Sequence, residues 1–307
     1  MNLMQNYRGL LSILGAVLAI AATLTAAAAP GCSSCVGGGS GGTWSSGLAF
    51  IGASAEATTR IDTASMTSAT GSAGDMRPSS MIIARSLYED QLGDNRYVMA
   101  YVGAPGDESY IEGSIHLPLD PEVFNPDGTL KSPEEIAAIF GAAGISEDDP
   151  LVIYGDSFVN GYDTFAFWVM KYLGHQDVLL LEGTKGGRQA AGLKFAANPS
   201  SRDPVTYNPD PNLDLLALPG ELEGLQLVDA RTQADYNAGH LEGAINIDYT
   251  RVRGSNGLAT SQALAQAFSG LDKNQKVAVS SINGGLASIV WYALYSQGYQ
   301  GSLLMSG

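Results

Sequence analysis

Tyr110-Ile-Glu-Gly-Ser-Ile-His-Leu-Pro118 and His240-Leu-Glu-Gly-Ala-Ile-Asn-Ile-Asp248 are two versions of one segment. Self-similarity on this scale means that one structural unit has been used twice. Each copy follows a short apolar strand candidate, residues 97–102 and 225–230. Each precedes a helix with a start signal. In the first copy Ser132 is the N-cap, Pro133 sits in the first turn and Glu135 completes a capping box ahead of residues 136–140. In the second, Thr260 or Ser261 opens residues 263–268. A buried-looking strand comes next (151–154 and 277–279), then a polar glycine-containing loop and an apolar helix (163–173 and 287–295). Both helices stop at glycine plus a ring, Gly174-His175 and Gly298-Tyr299, and both lead into a further apolar strand, 178–181 and 302–305. Strands alternating with helices predict parallel sheets covered by helices. Pro199, Pro204, Pro209, Pro211 and Pro219 mark an extended linker between the repeats.

The 307 residues carry 16 Lys+Arg against 31 Asp+Glu, a net charge of −15. A nucleic-acid partner needs clustered cations and is excluded on that balance. With 45% apolar residues the chain has material for a packed core. Its only cysteines, Cys32 and Cys35, lie near the N-terminus. They form a lone CxxC, without the second pair or histidines that a structural metal site requires.

Before the repeats, Arg8 precedes an apolar run over residues 10–29, the layout of an export signal. The run is also long enough for a retained membrane anchor. Ala29-Pro30-Gly31-Cys32 resembles a lipoprotein processing site, with Cys32 the residue to be acylated; cleavage at the alanine run with Cys32 unmodified also fits. The Gly/Ser/Ala/Thr-rich stretch that follows reads as a tether. The expected organisation is signal 1–31, tether 32–75, first domain 76–197, linker 198–212 and second domain 213–307. The expected location is a membrane surface outside the cytoplasm of a bacterium, on the periplasmic face or the cell exterior.

Taken together, Leu227-Val-Asp-Ala-Arg231, Tyr236-Asn-Ala-Gly-His240, Lys171-Tyr-Leu-Gly-His-Gln-Asp-Val178 and Leu181-Glu-Gly-Thr-Lys-Gly-Gly187 resemble the two-domain rhodanese family of thiosulfate and 3-mercaptopyruvate sulfurtransferases. The resemblance implies an α/β fold of two rhodanese-like domains, each a mostly parallel sheet flanked by helices. It also implies a loop after the central strand of the second domain that begins with a nucleophilic cysteine, carries sulfur as a persulfide and needs no cofactor. Here that loop reads Ser281-Ile282-Asn283-Gly284-Gly285-Leu286. An alkyl hydroxyl is un-ionised near neutrality, whereas sulfur exchange runs through a thiolate. The loop of the first domain, 155–161, supplies no cysteine either.

What the loop retains is an anion cradle, in which Gly284 and Gly285 are expected to turn the backbone and Ala287 to start a helix whose N-terminus faces the loop. Ser281 is expected to bond nearby amides, Asp229 and Arg231 to pair, and Arg251 and Arg253 either to lean over the loop or to be solvated. His116, His175 and His240 are read as structural, the aromatic residues of both apolar helices as packing faces, and Glu147-Asp148-Asp149 as a solvated turn. The expected partners are a small oxyanion (thiosulfate, sulfate or selenite) and a membrane-associated protein complex. Two functions follow from the resemblance. One is a non-catalytic, anchored binding module. The other is an active sulfurtransferase, or a chalcogen-oxyanion-handling accessory of an extracellular electron-transfer system, using another thiol.

Overall fold

The computed structural model describes residues 81–82, 97–103, 110–119, 122–155 and 158–305. The signal segment, the tether, Cys32 and Cys35 lie outside the described residues. The first repeat contains strands β1 (Met81–Ile82), β2 (Val98–Tyr101), β3 (Tyr110–Ile111) and β4 (Ile115–His116), then helix α1 (Pro133–Ala142) and β5 (Leu151–Tyr154). Helix α2 (Tyr162–Tyr172), β6 (Val178–Leu181), α3 (Lys185–Ala190) and β7 (Phe195–Ala196) complete it. The second repeat contains β8 (Leu216–Ala217), β9 (Gln226–Asp229), α4 (Gln233–Ala238), β10 (Ile245–Asn246), α5 (Ser261–Ala267), β11 (Val277–Ser280), α6 (Gly284–Ser296) and β12 (Gly301–Leu304).

The two main sheets are the same object. Their orders are β1-β6-β5-β2-β4 and β8-β12-β11-β9-β10, and every pair in them is parallel. The strands at the centre, Leu-Val-Ile-Tyr in β5 and Val-Ala-Val in β11, are buried on both faces, as parallel strands with helices above and below must be. The predicted capping box at α1 is present, with Glu135 N–H donating to Ser132 Oγ and Ser132 N–H to Glu135 Oε2. Thr260 is the N-cap of α5. On one face of the first sheet the antiparallel pair β3–β7 covers a separate cluster of Met99, Tyr101, Tyr110, Ile111, Val152, Tyr154, Leu181 and Leu193. The opposite face shares one continuous core with the second repeat, through α2 and α6.

The proline-rich segment has no regular secondary structure over residues 201–212, and it is bound to the first repeat. Val205 N–H donates to Gly141 O, Asp210 N–H to Leu173 O and Asn212 N–H to Tyr172 O, so the segment satisfies carbonyls at the C-terminal ends of α1 and α2. The acidic run expected to be a solvated turn holds this segment down. Glu147 accepts from both the backbone and the side chain of Asn208, and Asp149 pairs with Arg202 at 2.9 Å.

Beneath the segment lies His175, 1% exposed. Its Nε2 sits 2.9 Å from Asp149 O, which can only accept, so Nε2 carries the proton and Nδ1 accepts from Tyr207 Oη at 3.1 Å. Burial lowers the His175 pKa; the bond to Asp149 O opposes the shift and the Lys171 charge adds to it. Burial likewise raises the Tyr207 phenol far above its ordinary range, so it remains a donor. The native state therefore favours neutral His175. The stabilisation is complete above the unfolded histidine pKa of roughly 6.5 and is lost as pH falls toward the depressed native value. The urea midpoint is expected to be flat above about pH 7 and to fall as the pH drops below about 6.5, a slope that His175→Gln removes.

Candidate functional site

The C-terminal ends of β9 and β11 lie side by side, with Asp229 opposite Ser280. Crevices outside the carboxyl ends of parallel strands are where open α/β sheets bind ligands. The predicted ion pair is present. Arg231 Nε lies 3.0 and 3.1 Å from the two Asp229 carboxylate oxygens and Nη2 lies 2.6 Å from Oδ2, with Asp229 only 2% exposed. The hydrogen bonds that Arg231 donates to the Asp229 carboxylate hold the Arg231 pKa above its ordinary value. Asn246 Nδ2 donates to the carbonyls of both residues and so fixes this strand end to β10. Arg251 is exposed, and Arg253 sits over the Tyr249 ring at 5.7 Å, so of the two readings offered for these arginines the structure favours the peripheral one.

Ser281 follows β11 directly and opens the loop into α6. Its hydroxyl does not bond the neighbouring amides, contrary to expectation. Oγ is shielded from solvent and has no hydrogen-bond partner among the described residues. A buried hydroxyl left in that state costs about 1–3 kcal/mol. The helix also begins three residues earlier than read, at Gly284, with Asn283 as N-cap and its Oδ1 accepting from Leu286 N–H at 3.0 Å. Backbone N–H groups in the first turn have no acceptor within their own helix and point toward the preceding loop. Ile282 is 63% exposed at the rim.

Gly284 and Gly285 do not turn the chain, since both lie inside the first helical turn and neither has positive φ. They are small because the first repeat presses on them. A Cβ at Gly284 would lie 2.8 Å from the Phe165 ring, and one at Gly285 would lie 2.5 Å from Asn160 O. Gly161, at φ +78, meets the Gly285 carbonyl from the other side. The N-terminal ends of α2 and α6 thus abut, and Thr164 Oγ1 and Ser288 Oγ bond across the seam at 2.7 Å. Further along, Phe167 packs edge-on against Tyr292 at 5.1 Å and against Tyr295 at 5.7 Å, as the packing-face reading of these aromatics requires.

The seam reveals a correspondence. Thr164 Oγ1 bonds Gly161 O and Ser288 Oγ bonds Gly285 O, each three residues back, and Thr164 and Ser288 are 124 positions apart. The same offset carries Gly174-His175 onto Gly298-Tyr299 at the helix ends. Within the helices it places Asp163 opposite Ala287; the strands before them are offset by 126, Leu151 to Val277, so the first loop is two residues longer. Asp163 is fully buried, and its Oδ2 accepts from Phe158 N–H at 3.3 Å. The first loop therefore receives a carboxylate from its own helix, while Ala287 at the corresponding place in α6 offers none. The sequence reading started the two helices at these same positions, 163 and 287, but gave Asp163 no role in the loop.

The three histidines are all held in structural contacts. His175 lies under the linker, His116 Nε2 is 3.1 Å from Gly103 O, and His240 stacks on Tyr236 with its Nδ1 2.9 Å from the Tyr236 carbonyl.

Comparison with known proteins matches the Rhodanese-like domain family at residues 84–185 and again at 213–307. The chain belongs to the rhodanese family. Among curated relatives of this rhodanese, the thiosulfate sulfurtransferase of Corynebacterium glutamicum is 28% identical over 243 residues, covering 64% of this chain and 79% of the relative. A putative thiosulfate sulfurtransferase of Mycobacterium bovis is 24% identical over 213 residues, covering 61% and 76%. Among solved structures, SseA from Escherichia coli superposes with a TM-score of 0.65 at 21% identity, over 74% of this chain and 98% of its own. The 3-mercaptopyruvate sulfurtransferase of Leishmania major gives a TM-score of 0.62 at 19% identity, over 73% and 71%. These structures share the fold of two parallel sheets flanked by helices.

The seam between the repeats leaves no room for a methyl group. Gly285→Ala is expected to cost about 1–3 kcal/mol, the range for overpacking a close contact. Denaturant unfolding would measure it, with Gly270→Ala, which meets nothing within 4 Å, as the matched control.

Proposed function

We propose that this rhodanese is an exported, membrane-anchored binding module that holds a small oxyanion at the Ser281 loop and does not run the persulfide relay of its family. The observation that carries this reading is the buried, unpartnered Ser281 Oγ ahead of α6. An oxyanion in the loop accepts from that hydroxyl and from the free amides of the first helical turn, with the helix dipole favouring its charge. In the first repeat the Asp163 carboxylate accepts from the loop amide of Phe158. Ser281 stands where the family resemblance places the sulfur-carrying cysteine. Its hydroxyl stays protonated near neutrality and makes a poor sulfur carrier. Asp229, Arg231 and Asn246 brace the strand end from which the loop departs.

Export and anchoring rest on the sequence: the apolar run over 10–29, Gly31-Cys32 and the glycine-rich tether. Among the described residues no helix is long and apolar enough to cross a membrane. In this reading acylation of Cys32, or the run over 10–29 where it is retained, supplies the anchor.

The relatives' names favour a second reading, an active sulfurtransferase drawing on Cys32 or Cys35, the only thiols in the chain. Thiosulfate and cyanide distinguish the two. The wild-type chain is expected to form no thiocyanate above background, and Ser281→Cys to form it at a rate at least a hundredfold higher. Wild-type turnover that disappears with Cys35→Ser would establish the second reading in place of the first.

A further inference from the structure

We propose that residues 48–51, Leu-Ala-Phe-Ile, add as a short strand to the exposed face at residues 240–245 of the second repeat, in the place that β7 fills in the first.

The two copies of the duplicated segment fold alike. In the first, Ser114 N–H donates to Ile111 O at 2.9 Å around Gly113, at φ +85. In the second, Ala244 N–H donates to Leu241 O at 3.0 Å around Gly243, at φ +79. Both then lead into the edge strand of a five-stranded parallel sheet, β4 or β10. Their surroundings differ. Tyr110, Ile111 and Ile115 are 4%, 2% and 3% exposed. Their counterparts are His240, which is exposed, Leu241 at 42% and Ile245 at 41%. Single exposed aliphatic residues are ordinary on a surface, but these two occupy positions that the sister repeat buries.

The cover in the first repeat is β7. It lies antiparallel on the segment, with Ile111 opposite Phe195 and Tyr110 opposite Ala196, and Glu112 N–H donates to Lys194 O at 2.9 Å. Leu193, 4% exposed, joins Tyr110 and Ile111 in the cluster beneath. No described strand pairs with residues 240–242.

The covering stretch reads Leu193-Lys194-Phe195-Ala196, and Leu-x-Phe occurs once more in the chain, at Leu48-Ala49-Phe50. Ile51 follows, and Gly47 and Gly52 bracket the four residues, which lie outside the described ones. In the register of β7, Phe50 falls opposite Leu241 and Ile51 opposite His240. Ala49 O then accepts from Glu242 N–H, and Leu48 runs toward Ile245. Alternate side chains on an added strand supply the specificity, and its main chain supplies the hydrogen bonds.

Reach and charge both favour this occupant. Residues 52–80 join the segment to β1 and span up to about 90 Å when extended, against a radius of gyration of about 17 Å for a folded body of this size. The connection holds the segment at an effective concentration on the order of mM, which populates even a weak strand pairing. Residues 9–55 carry no charged side chain, so the segment approaches Asp235 and Glu242 without repulsion. A second copy of the chain would bring its own charge of −15 to the contact.

Hydrogen–deuterium exchange of the full chain, read by mass spectrometry, tests the pairing. Residues 48–51 and 240–242 are expected to exchange at least fivefold more slowly in wild type than in the Leu48→Asp/Phe50→Asp double variant. Leu241→Asp is expected to release residues 48–51 to the same degree. The amides of β5 and β11 are expected to keep their wild-type rates in both variants, and the protection to be unchanged on tenfold dilution. Equal exchange in wild type and the double variant overturns the proposal. Protection of 240–242 that survives the double variant assigns the face to a different occupant, and protection lost on dilution assigns it to a second copy; either result overturns the proposal.

Discussion

The contact on which the molecule turns is the meeting of two helix N-termini, where the backbone of Gly161 lies against that of Gly285. Two helices can start this close together only if neither carries a side chain at the point of contact. Gly161 must also take a left-handed conformation at the N-cap of α2, which glycine adopts without steric cost. Once the two ends are fixed, the hydroxyls of Thr164 and Ser288 close the polar seam, and the aromatic rings of α2 and α6 pack along the rest. The Ser281 loop of the second repeat is therefore anchored on the first. Its position depends on Asn160 and Phe165 as much as on its own strand.

This arrangement explains why two copies of one unit have diverged in opposite senses. In the first copy the loop between strand and helix is longer. Phe158 is buried at φ +66, a conformation that is strained for an aromatic residue, and donates its amide to Asp163. In the second copy the strand end is braced by Asp229, Arg231 and Asn246, the carboxylate is absent and a hydroxyl is left without a partner. One loop has become part of the scaffold and the other retains unsatisfied donors. Unfilled hydrogen-bonding capacity inside a protein is a cost to stability.

The alternation of strands and helices, the duplicated Glu-Gly segment and the helix caps were legible in the sequence because they rest on local rules. Ser132-Pro133 with Glu135 could hardly be anything but a helix start, and Asp229 with Arg231 two residues later could reach each other without help from the rest of the chain. Long-range contacts were not legible. Gly284-Gly285 looked like a turn because glycine pairs usually make turns, and only the packed first repeat discloses that their missing side chains matter. The acidic run 147–149 looked solvated because the linker that covers it lies about 60 residues away. Ser281 looked like a serine with local partners because the sequence could not say which amides would be within reach.

The linker adds a last step to the same logic. By bonding the terminal carbonyls of α1 and α2, it ties the C-terminal end of α2 down just as Gly285 fixes the N-terminal end. Trp168 in the middle of that helix donates to Leu215 O, where the chain enters the second repeat. Helix α2 is thus held at both ends and in the middle by segments that belong to or lead into the other repeat. A helix so constrained can move little without moving Asn160 and Phe165, the residues that press on Gly285 and Gly284. The shape of the Ser281 loop is consequently a property of both repeats, and a second domain cut free at the linker would lose the surface against which its own loop is built.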